Sequence, residues 1–324
     1  MAGRCLAFSS SKIQKLLIEH FIPVTGDDWY QRRRQDAEGE FFRKVSDQGP
    51  RGGEGDGTRQ GLYCFTASGK LLGFRNAADP GLVERLLKES LAAWKDLPSS
   101  ERVPRHELEA YHEPDADYDR PLPKDALVLR VHSRELDERA PGKWKVAPGG
   151  ASRVASVSLD HLWLRKEEWE ELLPTLPQPG QRVKVPGVVA RRIARFHLVD
   201  ATRGEPPMWE SEEIQRLELE LIVEEVEREH ATLRIEGRVH LETAEHDRGY
   251  TAKLGGTVEC EGKKIVRFDL VAIGKHWGEG TYTKGAREGH TPLGVAFVLV
   301  DKPEPRDLVP PQAARWLDGY WRAE

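Results

Sequence analysis

Apolar positions recur along this chain with two different periods, and the change from one to the other divides it. Early on, Val83, Leu86, Leu87, Leu91 and Trp94 fall at helical spacing behind Asp79-Pro80, which predicts a capped helix starting at Pro80. Just upstream, Leu62-Tyr63-Cys64-Phe65-Thr66 and Leu71-Leu72-Gly73-Phe74-Arg75 flank Ala67-Ser68-Gly69-Lys70, which predicts a hairpin. Ile13, Leu16, Leu17, His20 and Phe21 predict another helix, followed by a short buried strand, Phe21-Ile22-Pro23-Val24. Trp29 to Val45 reads as an amphipathic stretch with Phe41, Phe42 and Val45 inside, and Gln48 to Gly57 as a surface loop.

From Ala126 onward the period is two. Strands are predicted at Ala126–His132, Ala155–Leu162 and Val188–Val199, with a short helix, Lys166 to Leu173, closed by Pro174. Leu217, Leu219, Leu221 and Val223 form one alternating set; Leu233, Ile235, Val239 and Leu241 form the next, joined through Glu227-Arg228-Glu229-His230. Thr251–Cys260 and Lys264–Gly274 make a further hairpin around Gly262, and Pro292–Val300 is the last strand. Pro310 to Arg322 reads as a helix whose Trp316, Tyr320 and Trp321 pack back on a sheet. The expected fold class is therefore α+β. An N-terminal α/β domain occupies residues 1–97 and a proline-rich linker 98–124. A larger antiparallel β-sandwich or open barrel, with a C-terminal helix, occupies 125–324.

The order of the first part, helix, strand, helix, loop, hairpin, helix, resembles the thioredoxin fold after its first strand. Lys12-Ile13-Gln14-Lys15-Leu16-Leu17-Ile18-Glu19-His20-Phe21-Ile22-Pro23-Val24 is similar to the helix and F-V-P-V strand of thioredoxin-like domains. Gly61 to Leu72 is similar to their late hairpin. The resemblance covers less than a third of the chain. It implies the fold without the chemistry: Ser9 to Lys12 stand where a Cys-x-x-Cys would lie, and Arg59-Gln60-Gly61 lacks the proline that precedes the hairpin. What it implies is a non-redox thioredoxin-like domain.

Charge narrows the partners. With 49 basic and 54 acidic residues, a net charge of −5, the chain has no overall attraction for nucleic acid or anionic lipid. The expected partner is a protein or a small molecule. No apolar run reaches the roughly 20 residues of a membrane span. The N-terminus lacks the apolar core of a leader, so the expected location is cytoplasmic, or exported with a leader removed. Cys5, Cys64 and Cys260 are odd in number and far apart, which excludes a disulfide framework and leaves Cys5 as the one basis for a thiol oxidoreductase. No dinucleotide fingerprint, phosphate loop or nucleophile elbow occurs, so neither cofactor nor catalytic residue is assigned.

Two segments echo one another: Arg195-Phe196-His197-Leu198-Val199 and Arg267-Phe268-Asp269-Leu270-Val271, each with a Gly-Glu pair downstream at Gly204-Glu205 and Gly278-Glu279. Read as strands, either of a duplicated unit or simply of like construction, they turn Arg195 and His197, and Arg267 and Asp269, to one side. With the loops that follow, the ligand-binding candidates are Arg195, His197, Arg203, Glu205, Arg267, Asp269, His276 and His290. His161, beside Asp160, joins His197 and His276 as weak metal candidates without diagnostic spacing. The first functional expectation is a binding or scaffold protein. The alternative is an enzyme, or a metal or small-molecule binder, with its site in the β-rich domain.

Overall fold

In the computed structural model the described residues are 7–8, 10–53, 57–77, 79–102, 113–140, 143–146 and 157–324. The chain divides at Arg120/Pro121 into two units. The first holds α1 (Ser11–His20), α2 (Asp28–Gln31), α3 (Ala37–Ser46), the hairpin β1 (Leu62–Phe65) and β2 (Leu71–Arg75), α4 (Pro80–Asp96) and α5 (Ser99–Arg102). As the sequence predicts, Asp79 caps α4 by accepting from Leu82 N at 2.8 Å. Val83, Leu86 and Leu87 of α4 close a small core with Ile13 and Cys64. Trp94, expected on that face, is 39% exposed instead, with the Arg102 guanidinium over its ring.

Two expectations for this unit fail. Phe21-Ile22-Pro23-Val24 is not a strand: Ile22 and Val24 stand 91% and 72% exposed, because Pro23 has no amide to donate and no neighbouring strand takes up the segment. The stretch Trp29–Val45 is two helices rather than one, restarting where Asp36 accepts from Gly39 N at 3.1 Å.

In the second unit β3 (Leu127–Ala140), β4 (Lys143–Val146), β5 (Asp160–Leu164), α6 (Lys166–Glu170), β6 (Arg182–Lys184) and α7 (Gly187–Arg192) precede five strands and a terminal helix. The strands are β7 (Ile214–Glu227), β8 (His230–Glu242), β9 (Gly249–Glu261), β10 (Lys264–Trp277) and β11 (Thr291–Leu299); the helix is α8 (Leu317–Arg322). All pairings are antiparallel, in the order β4-β3-β11-β10-β9-β8-β7-β6, with β5 also on β3. One sheet carries every described strand of this unit, where a sandwich would need two. Arg228 and Gly262 turn the β7–β8 and β9–β10 hairpins with φ of 54° and 57°. No helix among the described residues is long and apolar enough to cross a membrane.

The run Val188–Val199, expected as a strand, is helical. α7 starts after Pro186 and passes into one wide turn, Ile193–His197, closed by Leu198 N on Ile193 O at 3.1 Å. A continuous apolar run buried on several sides has no period from which to tell helix from strand. Its Val189, Ile193, Ala194, Phe196 and Leu198 pack with Leu233, Leu254, Val295 and Phe297 of the sheet, so this helix is the filling of the core. Ala155 and Ser156, the start of another expected strand, lie outside the described residues; β5 begins at Asp160.

Close strand contact at the middle of the sheet depends on Gly256, where a Cβ would overlap the Asp269 carbonyl. Gly256→Ala is expected to cost about 2 kcal/mol or more in a denaturant titration, the range of overpacked interiors; an unchanged midpoint would show that the strands can part there.

Candidate binding groove

Because the wide turn and one side of α7 are buried, the polar side chains at those positions, Arg192, Arg195 and His197, need partners inside. Arg192 binds Glu168 through both terminal nitrogens, at 2.7 and 2.6 Å. Arg195 donates from Nε to Trp209 O at 2.7 Å and from Nη2 to Glu210 at 3.1 Å. His197 places Nδ1 3.2 Å from Asp160 Oδ2 and Nε2 3.5 Å from the Tyr320 hydroxyl, with Phe297 edge-on to its ring. Burial works to raise the Asp160 pKa, but the hydrogen bond and charge of His197 hold it below the ordinary value.

A second cluster joins the two loops that the sequence singles out. Arg203 donates to Asp200 at 2.8 Å and to the carbonyls of Thr283 and Gly278, while Glu205 bridges to Tyr282 and pairs with Arg315. Asp200 also accepts from Thr202 N and Oγ1 at 2.9 and 2.6 Å. Its burial is outweighed by Arg203 and these bonds, so its pKa stays below the ordinary carboxylate range. His276 faces the same pair, and burial pushes its pKa down to about 4. The space beside it, walled by Arg203, Trp209, Arg248 and Thr283, is about 10 Å3, room for one water.

The expected convergence of candidates does not form. Arg267 and Asp269 project from β10 on the exposed side, paired to each other at 2.5 Å, with Glu259 at 2.7 Å. They form a surface ion pair, because alternate residues of β10 face outward from the sheet into water. The echo Arg-Phe-x-Leu-Val is a helical turn in one copy and a strand in the other, which removes the duplication reading. His290 stacks on Trp277 at 4.1 Å and is exposed. His161, His197 and His276 face three different carboxylates, Asp307, Asp160 and Asp200. Among the described residues no group of three metal-ligating side chains converges. Cys64 and Cys260 are free and buried, and burial raises both thiol pKa values; Cys5 lies outside the described residues.

The sequence reading missed Arg192, Glu168, Asp200, Asp307 and Tyr320. One signal was available: Arg192 and Arg195 within the apolar run Val188–Val199 required buried acceptors.

Space for a ligand lies elsewhere. A groove of about 1000 Å3 opens between α7 and β7–β9, at the upper end of the 300–1,000 Å3 range usual for ligand sites. Val185, Ala190, Ile214, Leu217, Leu219 and Leu254 give it an apolar lining, with Gly187 and Arg191 on the helix side. Gly237 keeps its floor low; a Cβ there would meet the Glu218 carbonyl. Of the charged residues along it, Glu218 is paired with Arg216, Glu220 with Arg182, and Glu236 lies 3.8 Å from Arg182. Lys184, Arg238 and Lys253 border it too, but strand alternation puts their side chains with Glu218 and Glu220 on the opposite face of the sheet from Leu217, Leu219 and Leu254, which leaves Arg191 on the groove side.

The chain matches no family model, no curated protein and no solved structure.

Proposed function

We propose that this chain is a binding or scaffold protein. Its N-terminal unit is thioredoxin-like without a redox dithiol, and its β-rich unit takes a ligand in the groove beside α7. One observation carries the reading: the large space in the β-rich unit has Leu217, Leu219 and Leu254 along its sheet side and Arg191 on its helix side, while Arg195, His197, Arg203 and His276 are committed to buried contacts that hold the fold. A site of that kind favours holding an apolar body with a negative end over acid–base chemistry. The hairpin-then-helix order of β1, β2 and α4 supports the thioredoxin-like part, and the lack of any Cys-x-x-Cys in the sequence supports the loss of redox chemistry.

An anilinonaphthalene sulfonate titration tests it, since that probe is itself an apolar anion. The folded protein, with its near-ultraviolet circular dichroism intact, is expected to bind one equivalent with enhanced fluorescence. Leu217→Glu, which sets a negative charge on the groove lining, is expected to weaken it about tenfold or more. Absence of any enhancement with the wild-type protein would count against the groove.

A further inference from the structure

We propose that the groove is a fatty-acid site: it takes a single-chain carboxylate, the head paired with Arg191 and the acyl chain laid on the sheet. This rests on the groove reading above and names the class of ligand.

The space comes from an incomplete covering of the sheet. On the inner face of β7, Leu221 and Val223 are 1% exposed, whereas Leu217 and Leu219 of the same face stay half-buried. The helical segment explains the difference. Farther along, its Ile193 and Phe196 reach the core, but at the groove α7 presents Gly187 and Ala190, which share one side of the helix. Across from them, Gly237 of β8 stands between Leu219 of β7 and Leu254 of β9, so the sheet dips between two leucines. Ile235 and Val239, both buried, bound that dip along β8. Leu217 and Leu219 are thus left with apolar surface that no described side chain of this unit fully covers.

The lining selects the ligand's body. Its apolar residues, Val185, Ala190, Ile214, Leu217, Leu219 and Leu254, are aliphatic, and none of the described residues along the groove is aromatic. A flat ring system has no face to stack on there, while a flexible methylene chain meets branched side chains along its length. Arg191 selects the head. It is the cation on the groove side, it shares a face of α7 with Gly187 and Ala190, and among the described residues no carboxylate pairs with it. Its Nη1 lies 3.3 Å from the point that a Cβ on Gly187 would occupy, so the guanidinium folds back along α7 to Gly187. A planar fork with one positive charge matches a carboxylate, which is planar and carries one negative charge. A phosphate monoester brings about twice that charge and would leave part of it without a partner.

The test is calorimetric titration of the full chain with dodecanoate, held below its micelle concentration, together with displacement of anilinonaphthalene sulfonate by the same acid. One equivalent is expected to bind and to displace the dye. Affinity is expected to rise roughly tenfold for every two methylenes added between octanoate and dodecanoate, as each leaves water for the groove. Arg191→Gln, a change at an exposed position, is expected to weaken dodecanoate about fivefold or more and to leave dodecanol unaffected, with Arg191→Lys recovering part of the loss. No loss for the acid, or an equal loss for acid and alcohol, overturns the carboxylate. Affinity that does not change with chain length overturns the acyl chain, and binding without displacement of the dye puts the acid elsewhere and overturns the site. Dodecyl phosphate binding more tightly than dodecanoate would assign the head to a phosphate monoester and overturn the fatty acid. If dodecanoate fails to bind while anilinonaphthalene sulfonate still titrates to one equivalent, the fatty-acid assignment falls and the groove stands; if neither binds, both fall. A dimer in sedimentation that Leu217→Glu dissolves would give the lining to a second copy of this chain and overturn the fatty acid.

Discussion

Replacing Arg192 by methionine is expected to remove about 3–5 kcal/mol of folding stability, the loss usual when one member of a buried ion pair is taken away. Arg192 is wholly buried, and all its donors are used. Besides Glu168, it bonds the carbonyls of Tyr320 (2.9 Å), Trp321 (2.7 Å) and Trp163 (3.3 Å), and its guanidinium lies over the rings of Tyr320 and Trp321. One side chain thus ties α7 to α6, β5 and α8. Burial raises the Glu168 pKa, and the hydrogen bonds from Arg192 and Arg165 pull it below the ordinary value; without Arg192 the buried carboxylate keeps only Arg165. Lysine is expected to rescue little, because a single ammonium cannot reproduce the planar fork that meets a carboxylate and three carbonyls. Adding Glu168→Gln to Arg192→Met is expected to recover part of the loss, since the orphaned charge is then gone. Urea titrations of the three variants decide this, and a loss below about 1 kcal/mol for Arg192→Met would show the cluster to be replaceable.

The same cluster shows what the sequence could convey. Where one face of an element meets water the pattern is readable: β7, β8, β9, β10 and α4 lie close to where alternation, turn residues and Asp79-Pro80 put them. Where an element is surrounded, period vanishes, and Val188–Val199 was legible only as apolar. The loss of period there bears on the site. Treating Arg195 and His197 as strand neighbours paired them with Arg267 and Asp269, whereas the helical turn sends His197 to Asp160 and Arg195 to Trp209. The loops at Arg203 and His276, which the sequence offers for ligand binding, meet in a closed cluster whose polar groups engage one another. The groove was not legible at all: it follows from where β6 stops and α7 begins, a tertiary matter that no local pattern records.

Acidification from pH about 6.5 to about 4 is expected to lower stability by about 3 kcal/mol through His276 alone. The His276 pKa is pushed down to about 4 by burial first, then by the nearby Arg203 and Arg248 guanidiniums, against the opposing pull of Asp200. Its folded value is therefore below its unfolded value of about 6.5. Above that pH both states hold a neutral ring and the group contributes no slope. As pH falls below it, the unfolded chain takes up a proton that the folded chain refuses, and the folded state loses ground until pH about 4 is reached. His276→Gln is expected to flatten the stability–pH profile across this window and leave stability near pH 8 less affected. His161 adds to the wild-type slope, because burial also lowers its pKa, with Asp160 and Asp307 opposing. Asp200→Asn separates local charge from burial: it removes the carboxylate that favours the imidazolium, so the residual His276 titration should move to still lower pH. Chemical denaturation at half-unit pH steps, with imidazole proton resonances followed in parallel, measures both. A profile equally steep in wild type and His276→Gln would mean that this ring is free to take a proton in the folded protein, and the closed cluster around Asp200 and Arg203 would have to open to let it.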